Sequence, residues 1–168
     1  MGEPALIEEH GSEPQLAAAA AAMARRWLGV EHGPLLVALR GDLGSGKTTW
    51  VRAALRGLGY GGRVPSPTYT LLEQYRVANR TIVHLDLYRL SGEHDLENLG
   101  LRDWLVDPQT WVLIEWPERA PALATRCDLI LDFTIAGAEG RRVQFVAQTG
   151  RGFAALRATM NPESNNNV

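Results

Sequence analysis

One eight-residue stretch constrains this chain more than any other. It reads Gly41, Asp42, Leu43, Gly44, Ser45, Gly46, Lys47, Thr48 and fits Gly-x-x-x-x-Gly-Lys-[Ser/Thr] at every fixed position. The glycines permit backbone angles and close approaches that let main-chain N–H groups surround a polyphosphate. We expect Lys47 to contact the β- and γ-phosphates and the hydroxyl of Thr48 to bind Mg²⁺. The stretch therefore predicts a Walker A loop for a nucleoside triphosphate and its metal.

The sequence on either side of this loop has the pattern that a Walker A site needs. Residues 35–39 form a short apolar run, typical of a strand that is buried on both faces. Residues 48–58 carry apolar side chains at helical spacing, and several glycines follow directly. Lys47 is also the only lysine among 17 basic residues, and a compact ammonium on a flexible stem suits phosphate binding. A nucleotide site is favoured over a glycine-rich turn that binds nothing.

Two further apolar strands are predicted to end in carboxylates. Residues 71–77 and 81–86 form a predicted hairpin whose second strand ends at Asp86, and residues 111–115 form another strand that ends at Glu115. Ligands of open α/β sheets bind beyond the carboxyl ends of the strands. Both acids are therefore expected beside the phosphate loop.

These positions define a candidate catalytic and metal site. Lys47, Asp86 and Glu115 are the candidate catalytic residues. Asp86 suits a Walker B acid that binds Mg²⁺ directly or through water, and Glu115 could complete the metal shell or orient the attacking water. Thr48, Asp86 and Glu115 are thus the predicted metal ligands, and Trp116 could shield the site from solvent.

The segment at 64–70 is the candidate switch. It contains two prolines, which favour extended backbone, followed by hydroxyl side chains of which Thr68 is our candidate for contact with the γ-phosphate or its metal. An ordinary proline-rich loop is the alternative. His84 alternates with Asp86 on one strand face, where a structural histidine is more common than a ligand or base.

The whole pattern predicts an α/β protein with the P-loop NTPase fold, in which helices flank a central mixed, mostly parallel sheet. A single domain is expected over residues 1–160, with a disordered polar tail at 161–168. The other predicted elements are an edge strand at 5–7, a helix capped by Ser12 and ending near 28, short helices at 95–99 and 101–105, a hairpin of 128–134 with 142–147, and a helix at 153–160.

Composition excludes several classes of protein. The net charge is −2 and no basic cluster exceeds two adjacent arginines, so direct binding of nucleic acid by the chain alone is not expected. One cysteine, Cys127, allows neither an intramolecular disulfide nor a cysteine-based metal site. The acidic start lacks a signal-peptide pattern, and the alanine run at 17–22 is too short to span a bilayer. We expect a cytoplasmic protein without a membrane partner.

Four blocks of the sequence read GDLGSGKTT at 41–49, SPTYTL at 66–71, HLDLYRL at 84–90 and IEWPER at 114–119. They resemble the signature blocks of the TsaE family, the bacterial ATPase component of tRNA threonylcarbamoyladenosine synthesis. The resemblance implies that ATP contacts the loop, which comprises Asp42, Leu43, Gly44, Ser45, Gly46, Lys47, Thr48 and Thr49. It further implies Thr48 and Glu115 as metal ligands, Asp86 as the Walker B acid, Thr68 in the switch and Trp116 close to the nucleotide.

The same resemblance implies partners and a role. These are the proteins TsaD and TsaB, with tRNA met only through the complex and hydrolysis resetting the complex between turnovers. The chain lacks the Asn-Lys-x-Asp motif of GTPases, which favours ATP. Arg89 and Arg119 lie in the matching blocks without forming a convincing arginine finger, so slow hydrolysis by the chain alone is expected. Residues 12–15 and the turn at 140–141 are candidates for base or ribose contacts.

Two other functions fit parts of the pattern. A small-molecule kinase can have this length and loop, although no arginine-rich lid segment is evident. A nucleotide-switched interaction module would use ATP to order the switch, with hydrolysis incidental.

Overall fold

A seven-stranded sheet forms the centre of the computed structural model, which describes residues 5–30 and 33–161. Its strands are β1 (Ala5–His10), β2 (Leu35–Arg40), β3 (Leu72–Val77), β4 (Arg80–Asp86), β5 (Thr110–Glu115), β6 (Leu129–Ala136) and β7 (Gly140–Ala147). The order across the sheet is β1-β7-β6-β2-β5-β4-β3. Neighbours are parallel from β6 through β2 and β5 to β4, while β7 and β3 run against their neighbours. The predicted mixed, mostly parallel sheet is confirmed.

Helices cover both faces of this sheet. They are α1 (Glu13–Trp27), α2 (Lys47–Gly57), α3 (His94–Glu97), α4 (Leu101–Trp104), α5 (Pro121–Ala124) and α6 (Gly150–Met160), with a 3-10 turn at Pro117–Arg119. Ser12 caps α1 as predicted, since its hydroxyl accepts a hydrogen bond from the N–H of Gln15. Helix α6 begins three residues before the predicted start because the side chain of Thr149 caps it. The 3-10 turn and α5 were not predicted.

Two apolar layers hold the sheet to its helices. One face of the sheet packs against α1, α2 and α6, and the other packs against α3, α4 and α5. In the first layer, Trp27 contacts Trp50 and Trp111 with ring centroids 5.6 and 6.0 Å apart. All three indoles are buried, and such aromatic contacts stabilise a core beyond the area that they bury. This layer fixes α1 and α2 against the strands that end at the candidate site.

The first face changes from apolar to polar toward the carboxyl ends of β4 and β5. Because side chains alternate along a strand, Ile82 and Asp86 lie on the same face of β4 as His84, and Leu113 and Glu115 share the corresponding face of β5. The parallel register pairs Asp86 with Glu115. Both predicted acids therefore lie at the sheet edge from which the loop after β2 emerges.

Some predictions lie outside these observations. Residues 162–168 are outside the described residues, so most of the predicted tail is not tested, and the single domain at 1–160 also stays a prediction. In the part of the chain that the structure describes, no helix is both long enough and apolar enough to cross a bilayer.

Candidate functional site

A cleft with a volume of about 330 Å³ opens where the phosphate loop meets the carboxyl ends of β4 and β5. The predicted site residues in its lining are Leu43, Gly44, Ser45, Gly46, Lys47, Thr48, Thr49, Thr68, Asp86, Glu115 and Trp116. Asp42 does not line the cleft, and it contributes its main-chain carbonyl to Lys47 instead. Glu13, Leu16, Tyr88 and Arg141 complete the lining. One cleft thus contains residues from six separate parts of the sequence.

Two glycines of the loop have no tolerable substitute. Gly41 has φ +147°, and a Cβ there would lie 2.6 Å from the carbonyl oxygen of Phe133. Gly46 has φ +106°, and a Cβ there would lie 2.8 Å from Leu16 of α1. Both the backbone angle and the close neighbours therefore demand glycine. The loop is held between β6 and α1, with its main chain facing the cleft.

The ammonium of Lys47 is folded back over the loop. It donates hydrogen bonds to the carbonyl oxygens of Gly41 and Asp42, the second at 3.0 Å, and lies 4.5 Å from the ring centroid of Trp116. Burial lowers the pKa of the Lys47 ammonium below its usual value, and nearby carboxylates, of which Glu115 acts most strongly, oppose this shift. Phosphate oxygens would be stronger partners for this ammonium than neutral carbonyls.

Thr48, Glu115 and His84 form a chain of hydrogen bonds below the loop. The hydroxyl of Thr48 lies 2.8 and 3.1 Å from the two carboxylate oxygens of Glu115 and donates to them. Nε2 of His84 lies 2.8 Å from Oε1 of Glu115. Glu115 is 3% exposed and His84 is 0% exposed. The structure thus joins the predicted metal ligands Thr48 and Glu115 and adds a histidine for which a structural role was favoured.

Asp86 and Thr68 form a second contact at the same edge. The hydroxyl of Thr68 donates to Oδ2 of Asp86 over 3.1 Å, and the N–H of Tyr88 donates to Oδ1 over the same distance. Thr68 also shares a 2.7 Å hydrogen bond with the hydroxyl of Ser66. The candidate switch residue therefore contacts the candidate Walker B acid directly.

Trp116 closes one side of the cleft. It has φ +57°, an uncommon backbone conformation for a large side chain, and its ring lies 5.0 Å from that of Tyr88. This turn directs the indole toward Lys47. Pro117 follows and begins the 3-10 turn, so the strand ends at Glu115.

Three arginines were considered in the sequence, and one reaches the loop. Arg141 of β7 donates from Nη2 to the carbonyl oxygen of Gly44 over 3.0 Å. Arg89 instead lies over the ring of Tyr69, and Arg119 over that of Tyr88. Neither Arg89 nor Arg119 lines the cleft. Leu16 and Tyr88 were missed as cleft residues, since an apolar helix stripe and a tyrosine after a strand carry no specific signal.

The donor set at this edge consists of oxygen atoms. Thr48 offers a hydroxyl, and Asp86 and Glu115 offer carboxylates. Among the described residues no group of three or more His, Cys, Asp and Glu side chains could hold a metal by itself. Mg²⁺ typically takes one or two protein carboxylates and completes its shell with phosphate oxygens and water. These residues fit Mg²⁺ bound together with a nucleotide, rather than a metal held by the protein alone.

The sequence was compared with known families and proteins. Residues 11–143 match the family model described as "Threonylcarbamoyl adenosine biosynthesis protein TsaE". The chain is similar to the tRNA threonylcarbamoyladenosine biosynthesis protein TsaE of Haemophilus influenzae, with 39% identity over 127 residues, which are 76% of this chain and 79% of that protein. The Bacillus subtilis protein of the same name is 33% identical over 116 residues, covering 69% of this chain and 72% of the relative.

The fold was compared with solved structures. It is similar to the crystal structure of YdiB from Bacillus subtilis, with a TM-score of 0.75 and 23% identity over 95% of this chain and 97% of that one. This likeness establishes the shared α/β fold. The family match spans the phosphate loop, the candidate switch segment and both strand-end acids.

Proposed function

We propose that this chain, which belongs to the TsaE family, binds and hydrolyses Mg·ATP and acts with TsaD and TsaB in the threonylcarbamoyladenosine modification of tRNA. The observation that carries the proposal is the convergence of Lys47, Thr48, Asp86 and Glu115 on one cleft. An ammonium, a hydroxyl and two carboxylates are the groups that a Mg-dependent phosphoryl transfer needs.

In this proposal the phosphate loop binds and orients the nucleotide. The main-chain N–H groups at 42–49 surround the phosphates, supported by the amino terminus of α2. Lys47 exchanges the carbonyls of Gly41 and Asp42 for phosphate oxygens and stabilises negative charge that develops during transfer. Trp116 excludes water from one side of the ammonium.

Thr48, Asp86 and Glu115 would hold Mg²⁺. When bound, the ion supplies positive charge that neutralises the phosphates during transfer. In the present structure Thr48 donates to Glu115, and its hydroxyl must turn its lone pairs to the cleft to act as a ligand. Glu115 either joins the metal shell or orients the attacking water, and Asp86 serves as the Walker B acid.

Thr68 would couple the nucleotide to the switch segment. Its hydroxyl contacts Asp86, so a γ-phosphate or its metal at this edge competes for the same groups. Exchange of the Asp86 contact for one to the nucleotide would move residues 64–70, which contain the exposed Tyr69. This provides a route by which the bound nucleotide alters a surface that TsaD or TsaB can contact.

Phosphate release from Mg·ATP tests this function. The purified chain should release phosphate slowly alone and faster with TsaD, TsaB and tRNA. Of the described residues, Arg141 is the one arginine in the cleft lining, and it is hydrogen-bonded to the loop and is not placed as an arginine finger. Appearance of the phosphate on a metabolite, with no stimulation by the partners, would indicate the small-molecule kinase.

The substitution Glu115→Ala separates the ATPase from the interaction module. Nucleotide binding should persist, while phosphate release and tRNA modification are lost. Unimpaired modification by the Glu115 variant would instead identify a module for which hydrolysis is incidental.

A further inference from the structure

His84 lies beneath the candidate site and has an unusual set of contacts. It is 0% exposed and does not line the cleft. Its Nε2 atom lies 2.8 Å from Oε1 of Glu115, while its Nδ1 atom is buried without a hydrogen-bond partner in the described part of the chain. Nε2 can donate an N–H to this carboxylate oxygen, whereas Nδ1 has no hydrogen-bond partner among the described residues.

The position of His84 follows from the pairing of β4 with β5. Asp86 is opposite Glu115 in this parallel pair, and His84 precedes Asp86 by two residues on the same face. The imidazole therefore approaches Glu115 diagonally, from the apolar layer below the cleft, within reach of a long side chain. Ile82, one step further along the same face, belongs to that apolar layer.

Packing alone does not account for a histidine here. A buried polar atom without a partner lowers stability, and an apolar side chain such as that of Ile82 fills this layer without that loss. The hydrogen bond with Glu115 is the contact that offsets the cost of burying the imidazole. The role of His84 is therefore its effect on the carboxylate of Glu115.

We infer that His84 is a positioning residue. From the side away from the cleft, it holds the carboxylate of Glu115 in the orientation that Mg·nucleotide requires. The inference rests on the proposed function. Oε1 accepts from both His84 and Thr48, which leaves Oε2, 3.1 Å from the Thr48 hydroxyl, as the less engaged oxygen. The carboxylate is held in one rotamer before the ligand arrives, as second-layer hydrogen bonds hold the ligands of other metal sites.

Two matched amide substitutions test the role of the Nε2 contact. His84→Gln places an amide N–H near the position of Nε2, whereas His84→Asn places one near Nδ1, where Glu115 is out of reach. His84→Asn should raise the half-saturating Mg²⁺ concentration for phosphate release by about tenfold, the lower end of the range for such partners. His84→Gln should raise it by less than about threefold.

A binding measurement provides a readout other than turnover. Calorimetric titration with ADP should show that Mg²⁺ strengthens binding less in His84→Asn than in His84→Gln, while the two variants bind ADP alike in EDTA. Equal Mg²⁺ responses of the two variants would overturn the inference. The inference would also fail if the loss of Mg²⁺ response in the variants were proportional to their loss of free energy of unfolding in urea, because a purely structural histidine would act through stability.

A double substitution keeps the test decisive if His84→Asn is unstable. Glu115→Asp shortens the carboxylate and breaks the contact from the other side. Adding His84→Leu, which removes the N–H but suits the apolar layer, should therefore cause little further loss of Mg²⁺ response. Fully additive losses would show that the two residues act separately.

Measurements on the wild-type protein distinguish failure of the proposed function from failure of the inference on His84. If its phosphate release and ADP binding do not respond to Mg²⁺ at all, the proposed function fails. If they respond and His84→Asn behaves as wild type, only the inference on His84 fails.

Discussion

Among the described residues, buried carboxylates lie at both ends of the same sheet, two at one end and one at the other. Asp86 and Glu115 end β4 and β5 and are 4% and 3% exposed, and Asp128 precedes β6 at the other end and is 1% exposed. Asp128 accepts hydrogen bonds from the N–H of Leu36 and from the hydroxyl of Thr149. These donors belong to the start of β2 and to the cap of α6, so neither can leave without disrupting an element.

Both ends have hydroxyl donors, but that of Thr149 also caps α6 by accepting the N–H of Gly152, whereas those at the cleft cap no helix. Glu115 accepts from the hydroxyl of Thr48, and Asp86 accepts from that of Thr68. A hydroxyl can rotate and become an acceptor or a ligand. Burial is nearly the same at the two ends, so the way in which the hydroxyl donors are held, rather than the depth of the acid, distinguishes the candidate site from the structural contact.

The largest expected effect lies at the cleft end. Lys47→Ala removes the one ammonium of the loop and should lower phosphate release by about 10² to 10³, as loss of a charge-stabilising donor does in other enzymes. The free energy of unfolding should not fall, because a partly desolvated charge is removed. Phosphate release and urea unfolding, measured on the same preparation, check both statements. If Lys47→Ala released phosphate at the wild-type rate, the loop would not be central to hydrolysis.

The corresponding change at the other end should act on stability. Asp128→Ala leaves the N–H of Leu36 and the hydroxyl of Thr149 without their partner, and the free energy of unfolding should fall by about 3 kcal/mol. Urea denaturation measures the loss. Phosphate release per folded molecule should stay at the wild-type level, and a selective loss of turnover would contradict the division between the two ends.

Matched removal of one hydroxyl from each group should sharpen the contrast. Thr149→Val removes both a donor to Asp128 and the cap of α6, and should lower the free energy of unfolding by about 1 to 2 kcal/mol. Thr68→Val should lower it by less than about 0.5 kcal/mol, since Thr68 is only half-buried and Asp86 keeps its hydrogen bond from the N–H of Tyr88. Thr68→Val should instead reduce stimulation by TsaD and TsaB. Equal losses of stability would mean that the donors are equally fixed.

An effect smaller than that of Thr149→Val concerns Cys127, beside Asp128. Burial, with a contribution from the charge of Asp128, raises the pKa of the Cys127 thiol from 9.0 to about 12. The folded protein keeps this proton while the unfolded chain loses it above pH 9, so stability falls as pH rises through this range. From pH 8 to 9.5 the wild type should lose about 0.8 kcal/mol more than Cys127→Ala. Parallel pH curves for the two proteins would contradict the shift.

The local sequence predicted most of the elements and both acids at the cleft. Loop, strand and helix around Lys47 have a short-range pattern, and Asp86 and Glu115 each end an apolar run. Their meeting required only that parallel strands share one carboxyl edge. These features depend on neighbours in sequence, and the structure contains them within one to three residues of the predicted bounds.

The missed features depend on contacts between distant residues. Arg141 reaches Gly44 across 97 positions because β7 lies next to β6. The contact of His84 with Glu115 follows from the register of β4 with β5, which no local pattern specifies. Helix α5 consists of only four residues, Pro121–Ala124, which are too few for a periodic signal.

The isolation of Lys47 in the sequence has a spectroscopic consequence. Since the chain contains one lysine, growth with ¹⁵N- or ¹³C-labelled lysine yields a single labelled side chain, located at the phosphate loop. Its ammonium lies 4.5 Å from the ring centroid of Trp116, where the aromatic ring current displaces the chemical shifts of nearby nuclei. One isolated resonance would therefore record entry of a nucleotide into the cleft, without assignment of the rest of the spectrum.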